Sequence, residues 1–247
     1  MKRFYQSVEI AAADDGYRVL LDARPLHTPA RRALMLPSAA LAEALADEWR
    51  GQGETIGPED MPLTRLASTA QDRMPELRAA AIDEVVGYAG TDLLCYRAAT
   101  PLALVERQQH VWQPLLDWAA SALGTRLAVT TTLLPVAQPD AAIRGLWAAV
   151  EELGDWPLVG LHAATTALGS LVLGLALTRG RIDAEQAVAA SLLDELFEIE
   201  RWGKDAETER RHHGLRREVD AAALFLDRLG FRSSGASGPE RSRPAGR

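Results

Sequence analysis

Between Asp183 and Glu200 the chain carries six carboxylates and no lysine or arginine. This is its densest run of residues that could do chemistry. Asp194 and Glu198 stand four apart, so on a helix they share a face. Such a pair resembles the acids that hold magnesium-diphosphate in helical isoprenoid synthases, where the ion is bound by oxygen ligands. That chemistry needs a second acid-rich helix facing the first. Asp47-Glu48 and Asp83-Glu84 are adjacent pairs whose side chains diverge, so they supply no matching site. Read as one helix from an Asp183 cap to about Trp202, at about 100° per residue, the segment has a broad apolar face made by Leu192, Leu193, Leu196, Phe197 and Ile199. Asp194, Glu195 and Glu198 fall on the opposite side. Glu200 falls inside the apolar sector. A carboxylate there must be hydrogen-bonded, paired with a nearby arginine, or set at a partner surface, because burying it alone is costly.

The established catalytic signatures are missing from the chain. Gly203-Lys204 lacks both the first glycine and the Ser/Thr of a phosphate-binding loop, and the glycines at Gly51, Gly53 and Gly57 have the wrong spacing for a dinucleotide site. Ser170 is followed by Leu171-Val172, which is no nucleophile elbow. Cys95 is the single cysteine, so no zinc ligand set and no internal disulfide can form. His212 and His213 are adjacent and diverge on a helix. Set among Arg210, Arg211, Arg216 and Arg217, they read as a solvated basic face. His162 reads as a hydrogen-bonded core histidine. The six tryptophans outnumber the four phenylalanines and the four tyrosines. Taken singly, each is first a core residue. Trp112 and Trp118 lie six apart and diverge, so some of the set are expected at surface grooves, as binding anchors. No metal, no cofactor and no catalytic residue are implied.

The elements that must position these residues divide the chain. Val8–Ile10 and Tyr17–Leu21 flank Asp14-Asp15-Gly16, which is hairpin chemistry. Pro25–Thr28 and Ala33–Leu36 read as short extended pieces, and Glu54–Ile56 as a possible return to the sheet. Between them Ser38 caps a helix bearing Leu41, Leu45, Glu48 and Trp49. From Pro58 the pattern is helical: Leu63 to Arg73, Pro75 to Tyr88, Pro101 to Gly124 with a kink or restart at Pro114, Pro139-Asp140 to Leu153, Asp183 to Trp202, and Asp205 to about Leu229. Arg126 to Thr131 reads as extended. The fold class is therefore α+β: a small N-terminal β-rich domain over 1–60, a helical domain over 61–230, and a disordered basic tail over 231–247.

Composition narrows the setting. The formal charge is −7, although the last 17 residues alone contribute +3. An acidic body is a poor nucleic-acid binder. Trp156 to Thr178 is a run of 23 residues without a formal charge, long enough to raise a membrane span. Pro157, His162, three glycines and several hydroxyls dilute it, so it reads as a buried helix or helical hairpin. The N-terminus shows no apolar signal segment and no acid-poor transit peptide, which fits a cytoplasmic protein.

Read in order, several stretches carry a resemblance. They are Tyr17-x-Val19-Leu20-Leu21-Asp22-x-Arg24-Pro25 with Thr28-Pro29-Ala30; Glu48-Trp49; Met61 to Ala67 with Asp72-Arg73; and Thr91 to Arg97. Trp112-x-Pro114-Leu115-Leu116-Asp117-Trp118, Gly169 to Gly174 and Ile199-Glu200-x-Trp202-Gly203 follow. Over about residues 3 to 225 the chain resembles the assembly chaperones of the ATP synthase soluble head, of the "ATP twelve" type, which bind the free alpha subunit. The resemblance implies a nucleotide-independent chaperone; the chain itself is expected to be a monomer with no stable membrane insertion. It would cover alpha-subunit surface that later faces the beta subunit and leave on assembly. It also implies a partner-binding set of Trp49, Asp194, Glu195, Glu198, Glu200 and Trp202. Glu198 stands where the pattern expects glutamine, and the basic tail lies outside the pattern. Mitochondrial members carry a transit peptide, so the resemblance points to a bacterial, cytoplasmic member.

Overall fold

A computed structural model of the chain describes residues 1–132 and 134–231. The basic tail expected to be disordered lies, apart from Phe231, outside the described residues. The first hairpin forms as its turn chemistry requires. β1 (Val8–Ala13) and β2 (Gly16–Leu21) pair antiparallel, from Val8 opposite Leu21 to Ala13 opposite Gly16, around the two-residue loop Asp14-Asp15. β3 (Arg24–Pro25) adds two residues on the other side of β2, which gives the order β1-β2-β3. Gly16 has φ +146°, and a Cβ there would run into the Leu36 carbonyl oxygen. Only glycine allows the Leu36 strand to approach, where Tyr17 and Leu36 exchange backbone bonds of 2.9 and 2.8 Å. Glu54–Ile56 does not rejoin this sheet. It makes a single antiparallel bridge between Thr55 and Lys2.

α1 (Ala39–Arg50) starts at Ser38, whose Oγ accepts the Leu41 N–H at 3.1 Å. It lays Leu41, Ala42, Leu45, Ala46 and Trp49 into the core against the sheet. Then follow α2 (Pro62–Asp72), α3 (Met74–Gly87), α4 (Leu102–Ala122) and α5 (Asp140–Glu151). α4 runs through Pro114 as one helix instead of restarting there. α6 (Asp155–Leu168), α7 (Leu171–Thr178), α8 (Ala184–Ser191), α9 (Leu193–Trp202) and α10 (Ala206–Arg228) complete the helices of the described residues. The α+β expectation holds, and the buried side chains of sheet and helices form one continuous cluster.

The uncharged run is the α6–α7 hairpin. Gly169, at φ +65°, ends α6, and Ser170 caps α7 by accepting the Leu173 N–H at 3.0 Å. Every residue of α7 is buried. The two helices lie so close that a Cβ on Gly174 would strike the Thr165 hydroxyl. Among the described residues no helix is long and apolar enough to cross a membrane.

A buried helix must find partners for its free N-terminal N–H groups. For α7 they come from Asp92, a carboxylate with no exposed surface. It accepts the Ser170 hydroxyl at 2.7 Å, the Val172 N–H at 3.0 Å and, in its own short turn, the Leu94 N–H at 3.1 Å. Burial pushes its carboxyl above the ordinary range, and these donors pull it back. Asp92→Ala strands all three donors, each at a cost of about 1–3 kcal/mol. The expected loss of unfolding free energy in urea is therefore about 3 kcal/mol or more. A loss under about 1 kcal/mol would show that α7 is held by packing alone.

Candidate partner-binding site

α9 is a separate helix, not the second half of one running from Asp183. The capping box at Asp183 and Gln186 starts α8, with both side-chain to backbone bonds present at 2.8 and 3.0 Å. The helix breaks at Leu192, and α9 restarts with Asp194 and Glu195 in its first turn, where negative charge suits the helix dipole. The break turns the apolar face. Leu193 and Phe197 are buried, whereas Leu196 is exposed. That rotation moves Asp194 and Glu200 away from their expected places, while Glu198 stays exposed as expected.

Asp194 is drawn half inside. Its Oδ1 accepts from Gln108 Nε2 at 2.7 Å, and the Gln108 carbonyl oxygen accepts from Arg97 Nη1 at 3.0 Å. The Arg97 guanidinium lies 5.2 Å from the ring centre of Trp112, whose indole N–H donates to the Ala190 carbonyl at 2.8 Å. Burial pushes the Asp194 carboxyl up, and Gln108 and Arg97 oppose that shift. Glu195 faces α10, where Arg211 grips both of its oxygens and His212 Nε2 sits 2.8 Å from one of them. His212 therefore does not belong to a solvated basic face. It is buried, while its neighbours Arg210, Arg211 and His213 are exposed.

Glu200 is likewise not in an apolar sector. It is exposed on the side of α9 toward α4, where Arg107 donates to its two oxygens at 2.7 and 2.9 Å. That bidentate contact holds its carboxyl below the ordinary range. Arg107 and Arg201 also place guanidinium groups 5.2 and 4.1 Å from the centre of the Phe197 ring. Glu198 is exposed. Trp202, the last residue of α9, is 82% exposed, and Gly203 at φ +85° turns the chain away behind it.

Trp49 is not with them. It is 7% exposed, packed edge-on to Tyr5 with ring centres 5.6 Å apart, and its N–H donates to Thr64 Oγ1 at 3.1 Å. Its neighbour Glu48 accepts from the Leu63 and Thr64 N–H groups at 2.6 and 2.9 Å. The pair caps α2 from outside, since Met61 at the start of α2 has no capping side chain. His162 also leaves its expected place, because it is half-buried at the surface, 3.1 Å from Glu84.

The residues that organise the site, Arg97, Arg107, Gln108, Arg211 and His212, were not anticipated. Two carried a readable signal. Gln108 falls on the stripe of Leu104, Trp112 and Leu115, and His212 on that of Leu215, Val219 and Ala222. A polar residue on an apolar stripe must have a buried partner.

The matching proteins share this arrangement of elements. The family model described as "ATP12 chaperone protein" matches residues 2–120. The crystal structure of Atp12 from Paracoccus denitrificans superposes with a TM-score of 0.87 at 43% identity, over 92% of this chain and 98% of that one. The chain belongs to the ATP12 chaperone family. A protein of Agrobacterium tumefaciens superposes with a TM-score of 0.86 at 38% identity, over 93% of this chain and 85% of that one. The mitochondrial atp12 of Schizosaccharomyces pombe is 22% identical over 214 residues, which is 82% of this chain and 74% of the relative. The ATP12 family model ends within α4, so α9 is reached by the longer matches and not by the family model.

The clamp between α9 and α10 has a testable pH dependence. The Arg211 contact holds the Glu195 carboxyl below its ordinary range, so near the usual carboxylate pKa the folded chain binds fewer protons than the unfolded chain. The stabilisation is complete above the unfolded pKa of about 4.3 and is lost as pH falls through the lower folded value. Unfolding free energy measured from about pH 5 to pH 3 should fall less steeply in Glu195→Gln than in the parent. Parallel curves would mean that the pair forms no part of the folding equilibrium.

Proposed function

We propose that this ATP12 family member is an assembly chaperone for F-type ATP synthase. In this reading it binds the unassembled alpha subunit as a monomer in the bacterial cytoplasm, without nucleotide, and shields the surface that later meets the beta subunit. The observation that carries the reading is Trp202. A large aromatic ring standing 82% exposed at the end of a rigidly tied helix is the anchor a protein interface uses. Leu196 adds exposed apolar surface on the same helix, and Glu198 with the Glu200–Arg107 pair forms a charged rim. An unassembled subunit exposes a broad, aggregation-prone interface, and an apolar anchor ringed by charge can cover it reversibly.

The rival reading, a metal-dependent enzyme built on Asp194 to Glu200, needs a second acidic helix opposite α9. The helices opposite it, α4 and α10, bring Arg107, Gln108, Arg211 and His212 instead. Those groups engage three of the four acids. Among the described residues no cluster of three His, Cys, Asp or Glu stands ready for a metal ion. No catalytic role is assigned to any residue.

The test is retention of purified alpha and beta subunits by the immobilised chain in the absence of nucleotide, with selective capture of alpha expected. Trp202→Ala should weaken that capture at least tenfold, which corresponds to about 1.4 kcal/mol, with an unchanged melting curve because the ring has little to lose in the core. Glu200→Lys, which sets a third cation beside Arg107 and Arg201, should abolish binding and leave the fold intact. Equal capture of alpha by all three proteins would remove α9 from the contact. Capture of beta in place of alpha would overturn the reading.

A further inference from the structure

Two grooves flank α2 and use motifs that the α9 site leaves unexplained. On one side, His27, Pro29, Met61, Ser68 and Asp72 border a cavity of about 730 Å³ between the sheet region and α2. On the other, Leu66, Met74, Leu77, Ala80, Val159 and His162 border one of about 350 Å³ between α2, α3 and α6. Both grooves share one wall, made of Arg65, Thr69 and Arg73. These residues stand at i, i+4 and i+8, so they form a single ridge about 12 Å long.

Of the two ridge arginines, only Arg65 has its charge paired within the described residues. Asp72, in the first groove, already accepts the Ala30 N–H at 3.1 Å and Arg32 Nε at 2.9 Å. Glu84, in the second, lies against His162. Arg65 reaches Glu218 of α10 at 2.6 Å. The exposed Arg73 guanidinium has no carboxylate or carbonyl partner among the described residues, and it stands where the two grooves meet. What the surface lacks is a carboxylate flanked by apolar side chains. Its position also bears on what brings one. Arg65–Glu218 ties α2 to α10, and Glu195 with Arg211 and His212 ties α9 to the same helix. The grooves and Trp202 are thus held in fixed relation by one beam, as two-point docking of a single partner requires.

We propose that the α2 ridge and its grooves are a second docking surface. Their occupant is a segment of the alpha subunit that presents an Asp or Glu to Arg73 and apolar side chains to both grooves. The inference rests on the chaperone reading above.

The experiment uses the full chain and purified alpha subunit. Benzoylphenylalanine at position 69 is irradiated in the complex and the joined peptide is sequenced, while affinities are measured for Arg73→Glu, Arg73→Lys and Trp202→Ala. The expected crosslink is to an alpha-subunit segment with a carboxylate among apolar residues. Arg73→Glu should bind about tenfold or more weakly, and Arg73→Lys within about threefold of the parent. Melting curves should coincide, since the Arg73 side chain has no internal partner to lose. If Arg73→Glu binds like the parent and position 69 yields no crosslink, the second surface is wrong, although a loss in Trp202→Ala would leave the chaperone reading standing. A crosslink to a basic segment, or to a second copy of the chain, also overturns it. If the parent fails to bind the alpha subunit, both proposals fall.

Discussion

Asp92 has no contact with water, yet the middle of the molecule hangs on its two oxygens. The burial of α7 creates the requirement. A helix with no polar face gains from removing apolar surface from water, but its first N–H groups go into the interior with it, and each must be matched. Ser170 matches one, and Asp92 matches another while fixing the Ser170 hydroxyl. The carboxylate also places negative charge at the positive end of the helix, which offsets part of the cost of burying it. Because Asp92 sits at the start of the Leu93–Cys95 turn, the same contacts fix the path of the chain into Arg97, and Arg97 is the residue that reaches Gln108 and Trp112. The polar lattice under Asp194 therefore begins at the cap of α7. Cys95 lies in the same turn, where burial and the nearby Asp92 charge push its thiol up to about 12, so it packs as an inert apolar side chain.

Glu48 repeats the device at α2, capping a helix whose own first residues cannot. The two carboxylates account for four of the stretches that carried the family resemblance. Glu48-Trp49 meets Met61-Pro62-Leu63-Thr64, and Thr91 to Arg97 meets Gly169 to Gly174. Residues far apart in sequence were legible as a set because each pair is one junction. What the pairs do was not legible, since a cap supplied from another element leaves no mark in local periodicity. Trp49, which only the resemblance placed in the partner-binding set, packs in the core behind the Glu48 cap.

The order of the helices and most of their ends could be read from prolines, caps and apolar spacing, and the hairpin from Asp14-Asp15-Gly16. The misplaced acids trace to one place. Periodicity runs smoothly across Leu192, because Leu192 and Leu193 serve as the last apolar residue of one helix and the first of the next. The break turns α9 far enough to bury the Asp194 side, expose Leu196 and release Glu200 to the surface. A single unmarked break displaced Glu200 and Asp194 together, which shows how far a projected helical face depends on continuity.

The acidic segment is consequently less negative than its composition implies. Within α9, Arg107 and Arg211 clamp Glu200 and Glu195, and Gln108 engages Asp194, which leaves Glu198 as the exposed acid of that helix without a clamp. Exposed ion pairs contribute little to stability, but here they restrict where α9 can point. Arg107 from α4, paired with Glu200 and set over Phe197, and His212 from α10 hold the helix from two neighbouring elements, and Trp202 stands at its end. Under the proposed function this arrangement suits a temporary partner. Affinity comes from a small apolar anchor already fixed in direction, so little conformational entropy is lost on binding. Around the anchor, the Arg107–Glu200 and Arg211–Glu195 pairs are satisfied within the chain before and after contact. Those four charges are not stranded when the partner leaves α9, so a competing subunit that buries more apolar surface can displace the chaperone there without an energy source.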